Sequence, residues 1–138
     1  MIINGENLIL GRLCSYAAKK ALLGEKIDIV NCEKIVVAGR KENIFKKYKE
    51  KADRGDPLKG PYTPKVPDRL VRRTVRGMLP YKKGRGREAF KNVMCHISIP
   101  EKFRNKKIET VENLNINKTQ IIKYTNVDSI CKQLKQRQ

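Results

Sequence analysis

Arg69, Arg72, Arg73 and Arg76 recur at i, i+3, i+4 and i+7, so a helix through them carries four guanidinium groups along one face. Like charges at these spacings repel one another in an isolated helix. They become an asset when phosphates lie against them, and arginine suits that task because its planar fork can bond phosphate bidentately. Tyr81, Lys82, Lys83, Arg85 and Arg87 follow directly, interrupted by Gly84 and Gly86. This run reads as a basic loop in which glycine lets the backbone approach a ligand closely. The chemistry on offer is the gripping of a polyanion. A solvated charged helix is the bland alternative. Charge of nearly one sign, the dominance of arginine and the adjoining basic loop favour nucleic acid.

The helix that presents these arginines is expected from Val66 to Leu79. Pro67 suits a first helical turn, and Asp68 is favourable near the positive end of the helix dipole. Val71, Val75, Met78 and Leu79 fall on the opposite face and are expected to pack on a core. Pro80 pushes Leu79 away from helical angles and ends the helix. On this reading Arg72 and Arg76 are surface groups whose replacement leaves the fold intact. Upstream, Asp53 to Pro67 collects Gly55, Asp56-Pro57, Gly60-Pro61 and Pro64, which argues for an extended surface loop. It carries Arg54, Lys59 and Lys65, with Tyr62 available for stacking.

The remaining elements form the frame. Ile2 to Asn4 is a plausible strand. Leu10, Leu13, Cys14, Ala17 and Ala21 repeat with helical period up to Leu23, and Gly24 fits the residue past a helix end. Ile27–Val30 and Ile35–Ala38 are buried-strand candidates, ended by Asn31 and Gly39. Glu42 to Ala52 reads as a charged helix with Ile44, Phe45 and Tyr48 on one side. Glu88 to Asn92 could form a short helix, Val93 to Ile99 a further strand, and Asn126 to Lys135 a closing helix through Val127, Ile130, Cys131 and Leu134. The stretch from Glu101 to Gln120 reads as irregular or extended. This order suggests an α/β fold with a small, mostly parallel sheet covered by helices. Leu10-Gly11-Arg12 and Ala38-Gly39-Arg40-Lys41 resemble strand–glycine–helix junctions, but neither carries a dinucleotide fingerprint or a phosphate-loop lysine pattern. Tight turns account for both, and Arg12, Arg40 and Lys41 stay as phosphate contacts only.

The balance of charge agrees with a polyanionic partner. Lys and Arg number 32 against 14 Asp and Glu, a formal charge of +18 on 138 residues, which is enough chain for one domain (1–138). No stretch reaches the length of a membrane span, and no clear amphipathic segment pairs a basic face with exposed bulky apolar residues, so a membrane surface is disfavoured. Asn4, Gly5, Glu6 and Asn7 are unlike a signal peptide, and a cytosolic location is expected. Cys14, Cys32, Cys95 and Cys131 are scattered without a CxxC pair, so reduced, buried thiols are expected rather than a zinc site. His96 adjoins Cys95, but neighbours on a strand point to opposite faces and cannot make a nucleophile–base dyad. No cofactor or metal is expected.

Arg73-Thr-Val-Arg-Gly-Met-Leu-Pro80, with the basic glycine loop after it, closely resembles the signature of the universal large-subunit ribosomal protein family called L thirteen. Ile9-Leu-Gly-Arg-Leu-Cys-Ser15 resembles that family's N-terminal motif. Arg54-Gly, Gly60-Pro-Tyr62 and Pro67-x-Arg69 resemble its archaeal and eukaryotic branch. The resemblance spans Met1 to Ile99; beyond Pro100, in the extended segment 100–138, no motif carries over. It implies a three-layer α/β/α fold with a parallel four-stranded sheet. It also implies a structural role without catalysis, large-subunit ribosomal RNA and neighbouring ribosomal proteins as partners, and no homo-oligomer. Arg69, Arg72, Arg73 and Arg76 would then neutralise phosphates, with Lys82, Lys83, Arg85 and Arg87 following the backbone beside them. Tyr62 and Tyr81 either stack on unpaired bases or pack on their own loop. The rivals are an RNA-modifying enzyme, a DNA-binding module and a regulatory RNA-binding protein outside the ribosome.

Overall fold

The structure, a computed structural model, describes residues 1–136. Strand β1 (Ile2–Asn4) leads through helix α1 (Leu10–Leu22) to β2 (Ile27–Val30). The apolar stripe of α1 is buried as its period dictates, through Leu10, Leu13, Cys14, Ala17, Ala18 and Ala21. Leu23 caps the helix, and Gly24 takes φ +91° just beyond it. Strand β1 pairs in parallel with β2, with Ile3 opposite Ile29. On its other side β2 pairs in parallel with β4 (Val93–Cys95), with Ile29 opposite Cys95. The sheet order is therefore β1-β2-β4.

The fourth expected strand is elsewhere. β3 (Val36–Ala38) pairs antiparallel with a short strand the periodicity did not announce, β5 (Tyr124–Asn126). The connection explains the division. Asn31 turns the chain at φ 55°, a single turn of 3₁₀ helix at Cys32–Lys34 follows, and β3 begins two residues later. Parallel neighbours need a crossover of a dozen residues or more, so β3 cannot lie parallel beside β2. It forms a separate ladder with β5, and an isolated parallel bridge from Val36 reaches Ile9.

Helix α2 (Lys41–Asp53) packs its Ile44, Phe45 and Tyr48 side towards the core, and α5 (Val127–Lys135) lies against it. Val127, Ile130, Cys131 and Leu134 of α5 are buried together with the α1 and sheet residues. The segment before α5 closes the edge of β1: Asn4 N–H donates to the Glu109 carbonyl (2.9 Å) and Glu109 N–H to that of Ile2 (2.8 Å). Phe103 and Ile116 are buried in this stretch, which is not wholly irregular or extended: it holds single turns of 3₁₀ helix at Glu101–Phe103, Glu112–Leu114 and Ile116–Lys118. Strand β4 is shorter than expected, since the chain bends after Cys95 and Ser98 takes φ 55°.

Candidate nucleic-acid interface

The arginine helix, α3, runs Pro67–Met78. Pro67 stands in its first turn, and Leu79 leaves it at extended angles just before Pro80. Leu70, Val71 and Val75 are buried, and Leu79 folds in beyond the helix end. Met78 departs from the expected core face: it is 42 % exposed. As the last helical residue it lies past the end of the core, and Leu79 occupies that place instead.

The four arginines divide into two pairs. Arg69 and Arg73 are exposed, while Arg72 and Arg76 are half-buried. Arg72 Nε donates to the Val93 carbonyl (3.1 Å), and its guanidinium lies 4.2 Å from the centre of the Phe90 ring. Arg76 lies 4.7 Å from the Tyr81 ring centre, and its buried Nε has no protein partner among the described residues. The neighbouring elements account for the division. At about 100° per residue, Arg72 lies about 60° from buried Val75 and Arg73 about 60° from buried Leu70, so angle alone treats them alike. Phe90, Val93 and Tyr81 come up beside Arg72 and Arg76 only. The expectation that Arg72 is only a surface group is therefore corrected: it ties α3 to β4 and to the next helix.

That next helix, α4 (Gly84–Lys91), begins where a basic loop was expected. Only Tyr81, Lys82 and Lys83 form the turn, with Lys83 N–H donating to the Pro80 carbonyl (2.9 Å). Arg85 and Arg87 stand in the first turn of α4, and Arg87 Nε donates back to the Tyr81 carbonyl (3.3 Å). The role expected of Gly86 changes as well. It is buried, and a Cβ there would fall on the Pro80 carbonyl, so glycine lets α4 pack on the turn. Gly84 is exposed at the helix start. The first turn of α4 holds no acidic residue. A helix N-terminus with only cations around it is electrostatically unfavourable until an anion sits there. The ion pairs of Lys20 with Glu25, Lys34 with Glu6, Lys118 with Glu112 and Lys132 with Asp128 all lie on other elements.

Arg54, Tyr62 and Arg73 come together around a groove of about 720 Å³ between α2, the 53–66 loop and α3. Lys47 and Lys51 of α2 line the same groove and were passed over in the sequence. Their signal was present, since Lys47, Lys51 and Arg54 repeat at i, i+4 and i+7. Arg40 and Lys41, at the start of α2, meet Lys123 and Tyr124 in a second concavity of about 550 Å³. Arg12, exposed on α1, and Lys59 and Lys65 on the loop line neither.

All four cysteines are buried and free. Burial, helped by nearby Cys32, pushes the Cys14 thiol up to about 12, and burial above all raises Cys131 to about 11. Cys32 is also raised, first by its hydrogen bond with Cys95 and then by burial. Cys14, Cys32 and Cys131 are therefore small core thiols and not thiolates, and Cys95 is buried beside them. Among the described residues no group of three or more His, Cys, Asp or Glu side chains could hold a metal. His96 turns from Cys95 to Asp28, with Nε2 2.9 Å from Oδ1, and meets the edge of Phe103. Among the described residues no helix is long and apolar enough to cross a membrane.

This is a small basic α/β domain with a cationic ridge on two helices and a cation-lined groove beside it. The sequence pattern of the family described as ribosomal protein L13 matches residues 1–102. Among curated relatives, the large ribosomal subunit protein uL13 of Archaeoglobus fulgidus is 45 % identical over 117 residues, 85 % of this chain and 75 % of that protein. The protein of the same name from Methanococcus maripaludis is 50 % identical over 105 residues, 73 % of this chain and 77 % of its own. That of Methanococcoides burtonii is 38 % identical over 133 residues, 96 % of each. The chain belongs to the ribosomal protein L13 family, and its resemblance to the archaeal and eukaryotic branch agrees with these archaeal relatives.

Proposed function

We propose that this protein is a structural, non-catalytic constituent of the large ribosomal subunit in the cytoplasm, where it binds and stabilises folded large-subunit ribosomal RNA. The observation that carries the reading is the ridge. Arg69 and Arg73 project from α3, Lys82 and Lys83 from the turn, and Arg85 and Arg87 from the acid-free first turn of α4. Arg72 and Arg76 lie against aromatic rings, which holds their planes in place beside the others. Such a surface grips phosphates brought together by RNA folding and reads shape, since the deep A-form major groove is closed to side chains. The protein works as one copy among neighbouring ribosomal proteins. Filter binding of large-subunit RNA fragments across a salt series tests this. About eight neutralised phosphates, at roughly −0.7 to −0.9 each, give a log–log slope near −6 or −7. A slope near zero would refute the phosphate grip, and failure to co-sediment with large subunits would refute the ribosomal assignment.

A further inference from the structure

The groove between α2, the 53–66 loop and α3 has a different character from the ridge. Its floor is apolar, with Ile9, Leu10, Val37 and Leu70, and no lining residue is acidic. Its cations are Lys47, Lys51, Arg54 and Arg73. Tyr62 stands at its wall, 69 % exposed. We propose that this groove takes one unstacked nucleotide of a single-stranded RNA segment, with the base against the Tyr62 ring and the flanking phosphates on Lys47, Lys51, Arg54 and Arg73. The inference rests on the reading of the protein as RNA-binding and adds the kind of RNA that enters this site.

The wall is built before any ligand arrives. Thr63 Oγ1 donates to the Lys51 carbonyl (3.4 Å), and Gly55 N–H donates to that of Ala52 (3.2 Å), so both ends of the loop are fastened to α2. At Gly55 a Cβ would fall on the Pro61 carbonyl, and glycine is what lets the loop close on itself. The Tyr62 hydroxyl donates to the Pro57 carbonyl (3.2 Å), which fixes the ring while leaving most of it in water. An exposed ring already held in one orientation loses little freedom on stacking. The volume lies within the roughly 300–1,000 Å³ of ligand clefts. An apolar floor, an aromatic wall and a cationic rim match a group that is flat and apolar at one end and anionic at the other. Bases in a duplex are stacked and cannot enter, whereas single-stranded segments offer both parts.

The test measures fluorescence anisotropy of labelled pentaadenylate, its base-free counterpart of the same length, and a twenty-base-pair RNA duplex, with the full chain and with Tyr62→Ala and Tyr62→Phe. Tyr62→Ala is expected to bind pentaadenylate about five- to 150-fold more weakly, the range spanned by base–aromatic stacking. Tyr62→Phe keeps the ring and is expected to stay within about threefold of the parent, well inside that loss. The base-free oligomer and the duplex are expected to ignore both changes. The proposal is overturned if Tyr62→Ala binds pentaadenylate as the parent does, or loses the base-free oligomer equally. It is also overturned if hexaglutamate competes with the same dependence on Tyr62, which would assign the groove to an acidic protein segment. The duplex separates the two readings: duplex binding that persists while Tyr62→Ala binds pentaadenylate as the parent does defeats the groove alone, and absence of all binding defeats both.

Discussion

Arg72 tests whether a cation in a basic row can also hold the fold. Arg72→Ala removes the 3.1 Å hydrogen bond to the carbonyl of fully buried Val93 and the contact 4.2 Å from the Phe90 ring centre. A hydrogen bond from a charged donor contributes about 1.5–3 kcal/mol, and a half-buried cation–π contact about 0.5–2 kcal/mol. Because both are made by one side chain they overlap, and the expected loss is about 2–4 kcal/mol. For a domain of this size each kcal/mol moves the midpoint by roughly 3–5 °C, so Tm should fall by about 6–20 °C. Arg69→Ala, on the exposed side of the same helix, should change stability by no more than about 0.5 kcal/mol. Thermal melts of the two variants, followed by circular dichroism, make the comparison. Adding Phe90→Leu and the double variant should give a coupling of about 0.5–2 kcal/mol. If Arg72→Ala melts alongside Arg69→Ala, the contacts to Val93 and Phe90 carry no weight and Arg72 is a solvated arm. If the double variant is additive, only the ring contact is refuted.

Two further outcomes follow from the packing. Gly86→Ala places a methyl on the Pro80 carbonyl, which is backbone and cannot swing aside, and should cost about 1–3 kcal/mol; Gly77→Ala meets nothing within 4 Å and should stabilise α3 by about 0.5–1 kcal/mol. Denaturant titrations that gave the two glycines the same sign would show that the turn does not press on α4 as described. Ending the chain at Pro100 strips Val127, Ile130 and Leu134 from the core, each worth about 1.5–3 kcal/mol, against a total stability of about 5–15 kcal/mol. Such a chain should show no cooperative melt, and a sharp transition near that of the full chain would mean that α5 is dispensable.

Much of the frame was legible because it rests on local periodicity. The stripes of α1 and α5 are buried at the residues their spacing names, and Pro80 ends α3 where its ring requires. The losses share a physical origin in contacts distant along the chain. Tyr124–Asn126 is three residues long and mostly exposed, so nothing local marks it as a strand; β3 makes it one by offering an unpaired edge. Gly84 and Gly86 read as loop formers because glycine lowers helix propensity, yet the demand at Gly86 is for absence of a side chain against Pro80. The C-terminal segment carries no motif, but it covers the edge of β1 and supplies a face of the core. Of the site, the ridge was visible as a row of like charges, whereas the groove needed the fold to bring α2 beside the loop and α3.

The row of arginines shows where a periodicity argument has to be taken one step further. Spacing by three and four places four cations on one side of α3, but that side spans a wide arc, and its margin faces protein. Which cations meet it is decided by the elements packed beside the helix: Arg72 and Arg76 meet Phe90, Val93 and Tyr81, while Arg69 and Arg73 meet solvent. A lysine at the margin would keep the charge but lose the planar group that lies on a ring and donates from a fixed Nε. Arginine at both kinds of position therefore differs in its surroundings and not in its chemistry: on the margin it lies against protein, and at the centre it is exposed to solvent.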